Sequence, residues 1–461
     1  VNAQALKPTL EYALRPHAVP RDELIRRYRP VMMMVRQILG VVPHAMSYFE
    51  IWPPALTTYS VLVPAMLDIP RCDMGRGIPP ALRSLVLYVA SRSHGCSYCA
   101  AHSASVGTVF RGSGGNLARN AQAMSPEACK LFSPADLAAI DYATAAAKLP
   151  NELEESHRLG LARHFSEDHE EAIALAVTLM GFLNCAMDTL GMVLEWGVLD
   201  RAQRHLAASD WTPGQNFDPR FDQSVVEADK LTDDGQTLGP LELARTMAGI
   251  IAYDRGALET IAKRPAKVHE QVREAMGFVP YYVERVERTP AKRVFAHMLV
   301  ERVQSSAGEL PVWLKHAACF AAARNSKNDL LAAHFAHWAM RAGASIEQLR
   351  GALMPRPTGG REATAFALAK VASSQPATLG HELLERVTSQ FSPPEIIELV
   401  TMLSIQGMFQ RYVSTYPVDS YESPVADFVT EHGTLLGLPR RPSQVSARWD
   451  ELCQRARLSA A

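Results

Sequence analysis

The chain has 461 residues, 48% of them hydrophobic and 21% charged, with a formal net charge of −1. That length exceeds one ordinary core, so two or three domains are expected. The balanced charge, with no Lys/Arg cluster, excludes an electrostatic nucleic-acid binder. Seven cysteines, odd in number and scattered, do not form a secreted disulfide framework. Cys72, Cys129, Cys185, Cys319 and Cys453 read as buried small side chains or bystanders. No apolar run reaches about 18 residues and no basic-then-apolar leader opens the chain. A cytoplasmic protein without membrane insertion is therefore expected.

Taken in order, the elements read as helices. Leu82, Leu85, Val86 and Val89 recur at helical spacing, as do Ile173, Val177, Met180 and Gly181, and later Ile397, Val400, Thr401, Leu403 and Ser404. Alternating strand patterns are hard to find, so the fold class is all-α. The run Pro79–Ala90 predicts a helix, Ser91–Gly95 a break, and Cys96 the start of the next helix. Glycine-rich stretches at Arg111–Asn116 and Pro355–Arg361 read as turns, since no Gly-Lys-Ser/Thr follows either. Residues 206–238, rich in Asp, Pro and Gly, read as a linker wrapping over the surface.

Three ordered blocks repeat. Val35-Arg36, Gly40, Val42-Pro43, Glu50 and Pro53 recur as Val272-Arg273, Gly277, Val279-Pro280, Glu287 and Pro290. Ile78-Pro79, Leu82-Arg83, Arg92 and Ala100-Ala101-His102 recur as Leu310-Pro311, Leu314-Lys315, Arg324 and Ala332-Ala333-His334. Phe165-Ser166 and Gly181 recur as Phe391-Ser392 and Gly407. Two tandem copies of one helical domain are expected, as 1–205, a linker 206–238, 239–425, and a C-terminal tail 426–461.

The stretch that names a chemistry is Gly95-Cys96-Ser97-Tyr98-Cys99-Ala100-Ala101-His102. On a helix, Cys96, Cys99 and His102 fall one turn apart on one face. A thiol in a first helical turn feels the positive end of the dipole, which favours thiolate. Two sulfurs three residues apart can close into a disulfide, and His102 can accept the Cys99 proton directly or through a water. His94 would add positive charge beside Cys96. These are the needs of a thiol that attacks a peroxide or disulfide and is resolved by its neighbour. A zinc site would need a fourth ligand that this half does not offer, and inert core cysteines are the bland alternative.

This motif resembles the signature of the alkylhydroperoxidase D-like / carboxymuconolactone decarboxylase superfamily. The helix entered through Ile78-Pro79 and the segment Phe165-Ser166 … Gly181-Phe182-Leu183-Asn184 … Leu190-Gly191 … Leu194-Glu195 add to the likeness. It spans about residues 30–200 and, with a degenerate motif, about 265–420. The resemblance implies an all-helical fold that assembles into homo-oligomers, expected here as a dimer or trimer. It further implies that Cys99 attacks the hydroperoxide and that Cys96 resolves it and meets a thiol or lipoyl-type reductant, with His102 assisting. No cofactor or metal is implied. Redox members carry a glutamate about twelve residues before the first cysteine, where this chain has Ser84, and often place the histidine where it has Ser103. Glu50 is an alternative carboxylate, although Glu287 repeats it; Tyr98 lies between the two thiols.

In the second copy Cys96 falls on Asn328, Cys99 on Leu331 and His102 on His334. Leucine does no thiol chemistry, so this copy reads as architectural, filling the place of a second subunit. His316, His334 and His337 form a weak metal pattern without thiol or carboxylate. The leading expectation is a thiol-disulfide oxidoreductase or hydroperoxide reductase. The rivals are a cofactor-free decarboxylase or lactone-processing enzyme and a non-enzymatic redox-sensing scaffold.

Overall fold

The computed structural model describes residues 8–69, 71–104, 106–107, 117–125, 127–206, 209–218, 238–354, 359–442 and 448–460. Among these the regular structure is helical, with no strand, in keeping with the apolar spacing. The first glycine-rich stretch (111–116), residues 355–358 of the second, and most of the linker (219–237) lie outside the described residues.

Two long apolar helices make the centre. Glu167–Leu190 starts on Ser166, whose hydroxyl caps the His169 N–H, and stops at Gly191 in the left-handed region, φ 65°. Nearly every residue from Glu170 onward is buried. By length and composition this helix could cross a membrane, but 94% of its apolar window is buried inside the fold. A helix that is hydrophobic all round belongs in the middle of a core. Its neighbour Pro393–Thr415 starts on a Ser392/Glu395 capping box and is buried to the same degree. They pack along each other and touch backbone to backbone. A Cβ built on Gly181 would lie 2.5 Å from the Gly407 carbonyl oxygen, and one built on Gly407 would lie 2.9 Å from the Gly181 oxygen. Only two glycines permit that approach.

Pro80–His94 packs against Glu167–Leu190, Pro134–Ala147 and the short helix Ser97–Ser103. The break expected at Ser91–Gly95 is narrower than the sequence indicates. The helix runs on to His94, with Ser91 Oγ donating to the Leu87 carbonyl at 2.8 Å. A serine bonded back to its own helix does not end it. Gly95, at φ 92°, makes the turn alone. Cys96 is then the N-cap of Ser97–Ser103, its sulfur accepting the Cys99 N–H at 3.2 Å.

Residues 209–218 strap this junction from outside. Asn216 Oδ1 accepts the Tyr98 N–H, and its Nδ2 donates to the Met192 carbonyl at 2.8 Å. Trp211 Nε1 donates to the Ser97 carbonyl, and Gln215 Nε2 donates to the carbonyls of Asp188 and Ala377. With Pro376 packed on Gly95, the strap leaves Cys96 fully buried.

Candidate functional site

Cys99 and His102 face an apolar pocket. Its walls come from Arg29–Leu39 (Met34, Val35, Ile38), Pro53–Met66 (Tyr59, Ser60, Val63) and Glu167–Leu190 (Leu179, Met180, Leu183, Met187), and its empty volume is about 820 Å³, mouth included. Cys96 does not line it. The dithiol therefore has two sides: one thiol meets the pocket, the other is sealed under the strap.

The two sulfurs interact through a hydrogen bond that lowers the pKa of Cys99 and raises that of Cys96. Burial is nevertheless the larger effect and pushes both thiols above the ordinary range. This corrects the expectation of a thiolate favoured by the helix start, because desolvation of a fully enclosed sulfur outweighs the helix-end field. Of the pair, Cys99 is the easier to ionise.

His102 is not the free base that its spacing promises. Its Nδ1 lies 3.0 Å from the Tyr98 carbonyl oxygen, so that nitrogen donates. Its Nε2 lies 2.9 Å from Glu195 Oε2, an ion-pair contact rather than an aligned hydrogen bond. Both ring nitrogens face oxygen acceptors. Glu195 is buried, and its other oxygen accepts from Tyr98 OH at 2.9 Å and from the His44 N–H at 2.5 Å. Burial alone would raise its pKa, but His102, His44 and these bonds hold it well below the usual carboxylate range. The Tyr98 and His102 rings lie tilted against each other with centroids 4.4 Å apart.

Removing this carboxylate should be costly in a pH-dependent way. A folded pKa below the unfolded one means Glu195 stabilises the fold above the ordinary value of 4.5 and that this stability fades as pH falls through the folded pKa. Glu195→Gln is expected to unfold about 3 kcal/mol more easily at neutral pH. Denaturant titrations at descending pH should show the gap from wild type closing below the ordinary carboxylate range.

The remaining sequence candidates fall into place or drop out. Ser84 donates to the Ser103 carbonyl at 3.0 Å and accepts from Asn120 Nδ2 at 3.0 Å, so it ties helices together and is no part of a proton path. Glu50 is taken by Arg27 at 2.7 Å and Tyr28 OH at 2.8 Å, not by the dithiol. His94 carries no positive charge: Arg411 Nη2 and Gln375 Nε2 both donate to its Nδ1 at 3.0 Å. Burial and the neighbouring Arg411 hold its pKa down to about 3. The carboxylates that face the histidines here are Glu195, beside His102, and Asp188, 3.7 Å from His94 Nε2, and sequence reasoning missed both as site residues. Glu195 stood only as the last residue of a matching segment, and nothing local marks Asp188.

A similar arrangement occurs around His334, without thiols. Asn328 Oδ1 caps the Leu331 N–H at 2.9 Å, His334 Nε2 lies 2.7 Å from Glu422 Oε2, and the Tyr281 N–H donates to Glu422 Oε1 at 2.8 Å. Phe278, Tyr282 and Trp338 pack their rings around His334. His316 is held by Gln304 at 3.0 Å. No three His, Cys, Asp or Glu side chains converge as metal ligands among the described residues.

No family model matches the chain, and no curated protein matches it. Two solved structures are weakly similar. One is the crystal structure of the apo debrominase Bmp8, with TM-score 0.28 and 18% identity over 50% of this chain and 96% of that one. The other is a variant of that debrominase in complex with 2,3,4-tribromopyrrole, with TM-score 0.29 and 23% identity over 37% and 88%. Likeness this slight carries neither activity nor substrate to this chain.

Proposed function

We propose that the chain is a thiol-disulfide oxidoreductase that reduces organic hydroperoxides at Cys99, as its resemblance to alkylhydroperoxidase D-like proteins implies. One observation carries the reading: Cys99 is the thiol that lines the apolar pocket, with Cys96 behind it, its sulfur accepting the Cys99 N–H. Cys99 thiolate attacks the terminal peroxide oxygen, the O–O bond breaks, an alcohol leaves and Cys99 becomes a sulfenic acid. Cys96 then attacks the Cys99 sulfur, closing the disulfide and releasing water. His102 beside the pocket, held by Glu195, is placed to supply the leaving oxygen with a proton.

The family order has the reductant meet Cys96, but here Cys96 is sealed by the strap. A small dithiol of the lipoyl type, entering through the pocket to attack Cys99 and expel Cys96, fits this geometry better than a protein thiol.

The same proposal includes an internal duplication. Its support is the paired chemistry: Cys96 and Asn328 as caps, His102–Glu195 and His334–Glu422 as buried pairs, and Gly181 against Gly407. The second copy then keeps the scaffold of the site, with aromatic rings packed around His334, and it stands where a partner subunit would.

Stopped-flow reduction of hydroperoxides by wild type and Cys99→Ser tests the activity; equal rates remove it. The pocket makes a further demand. Leu183→Phe adds bulk to the apolar wall and should slow a bulky aromatic hydroperoxide about 10-fold, since misplacing a substrate by an ångström is worth 10- to 100-fold. Hydrogen peroxide should be little affected. Equal slowing of both would show that the pocket does not hold the substrate.

A further inference from the structure

An apolar pocket orients its ligand through the few polar groups on its walls. Among the described residues, no Lys, Arg, Asp or Glu lines this one. The hydroxyls that do are nearly all bonded already. Ser60 Oγ donates to the Leu56 carbonyl at 2.8 Å, Tyr98 OH donates to Glu195 at 2.9 Å, and Ser103 Oγ pairs with Ser91 Oγ at 3.4 Å. Both nitrogens of His102 face oxygens of Tyr98 and Glu195. Tyr59 is the exception. Its hydroxyl has no hydrogen-bond partner among the described residues, and it is not one of the orphan polar atoms sealed in the core. The ring lies against Phe49, centroids 5.9 Å apart, which is buried and forms no part of the pocket wall. Tyr59 is 5% exposed, and the opening it keeps is the pocket that it lines together with Cys99 and His102.

We propose that Tyr59 binds the hydroperoxy group, and that the substrate is an uncharged, apolar hydroperoxide with no other polar group. This rests on the hydroperoxide reading above. A hydroxyl withdrawn from water without a partner is costly. A ligand that bonds it is therefore preferred over one of the same shape that cannot. A hydroperoxide brings a donor and an acceptor to that one point, while its hydrocarbon fills the rest of the wall. A substrate carrying a carboxylate would bury its charge where no lysine or arginine meets it.

Burial pushes the Tyr59 phenol above its ordinary range, so it stays a donor while Cys99 attacks. The proton for the leaving oxygen still comes from His102. As the repeated block that pairs Pro53 with Pro290 continues, Tyr59 falls on Ala296. Hydroxyl and thiol are thus missing together from the second copy.

Recognition can be read without turnover. Benzyl chloride, an aromatic electrophile with no oxygen, alkylates the Cys99 thiolate with loss of chloride, and mass spectrometry of the reduced full-length protein follows it. Cumyl alcohol should protect wild-type Cys99 at concentrations about 5- to 10-fold lower than isopropylbenzene does, the weight of one hydrogen bond. Its para-carboxylate should protect at least about 100-fold less well than the alcohol. Tyr59→Phe should be alkylated at the wild-type rate, lose the preference for the alcohol, and react with cumene hydroperoxide about 10-fold more slowly. Equal protection by alcohol and hydrocarbon in the wild type, or a preference kept in Tyr59→Phe, overturns the assignment. A carboxylate that protects as well as the alcohol overturns the uncharged class. The wild-type comparisons decide even should the variant not fold. If cumene hydroperoxide fails to oxidise Cys99 while the alcohol preference depends on Tyr59, the peroxidase reading alone falls and Tyr59 stands as the anchor for a ligand hydroxyl.

Discussion

Cys99→Ser should lose hydroperoxide turnover by at least about 1,000-fold, whereas Cys96→Ser should complete one turnover and stop. The asymmetry follows from which sulfur meets the pocket. Cys99 lines it and Cys96 is sealed behind it. A serine hydroxyl at the attacking position is a far weaker nucleophile than a thiol, and no third thiol lines that wall. At the resolving position, serine leaves the first chemical step intact and blocks the second. Cys99 sulfenic acid should then accumulate to one equivalent, trapped by a dione reagent and counted by mass spectrometry. Because burial holds Cys99 above the usual thiol range, the first step in wild type should also quicken as pH rises, with the growing thiolate fraction. The reverse asymmetry, with Cys96→Ser losing the first step, would sink the assignment. Activity that survives loss of both thiols would favour the cofactor-free decarboxylase or lactone-processing reading.

Gly181→Val should lower the unfolding free energy by about 3 kcal/mol or more, at the upper end of overpacking penalties. A Cβ there meets the Gly407 carbonyl oxygen at 2.5 Å and its carbon at 3.0 Å, and backbone cannot turn aside as a side chain can. The two central helices must separate. Arg411, whose Cδ would sit 3.1 Å from the new atom, would shift with them, and with it the donor to His94. Gly181→Ala should show the same effect at smaller size. Urea unfolding followed by circular dichroism reads both; a loss under about 1 kcal/mol for the valine variant would mean that the helices slide apart without penalty.

Part of this was legible before any coordinates. Apolar residues at helical intervals, Leu82 to Val89 and Ile173 to Gly181, place the helices, and they form. Gly181 and Gly407 stood out within repeated blocks, though nothing in a linear pattern said that they touch. The break read at Ser91–Gly95 came too early, since a serine that bonds its own helix backbone, as Ser91 does, lets the helix continue to His94.

The site divides in the same way. Helical geometry is local, so the spacing by itself determined that Cys99 and His102 share one short helix, which Cys96 caps. Charge state and access are not local. They depend on what the rest of the chain brings to that helix. The strap 209–218 closes over Cys96, Glu195 occupies His102, Asp188 faces His94 from the end of the core helix, and Arg411 reaches His94 from the other half. Dielectric environment and long-range pairing are properties of packing. Only the tertiary structure therefore decided which thiol meets the pocket, which carboxylate faces which proton, and that burial outweighs the helix end at both sulfurs.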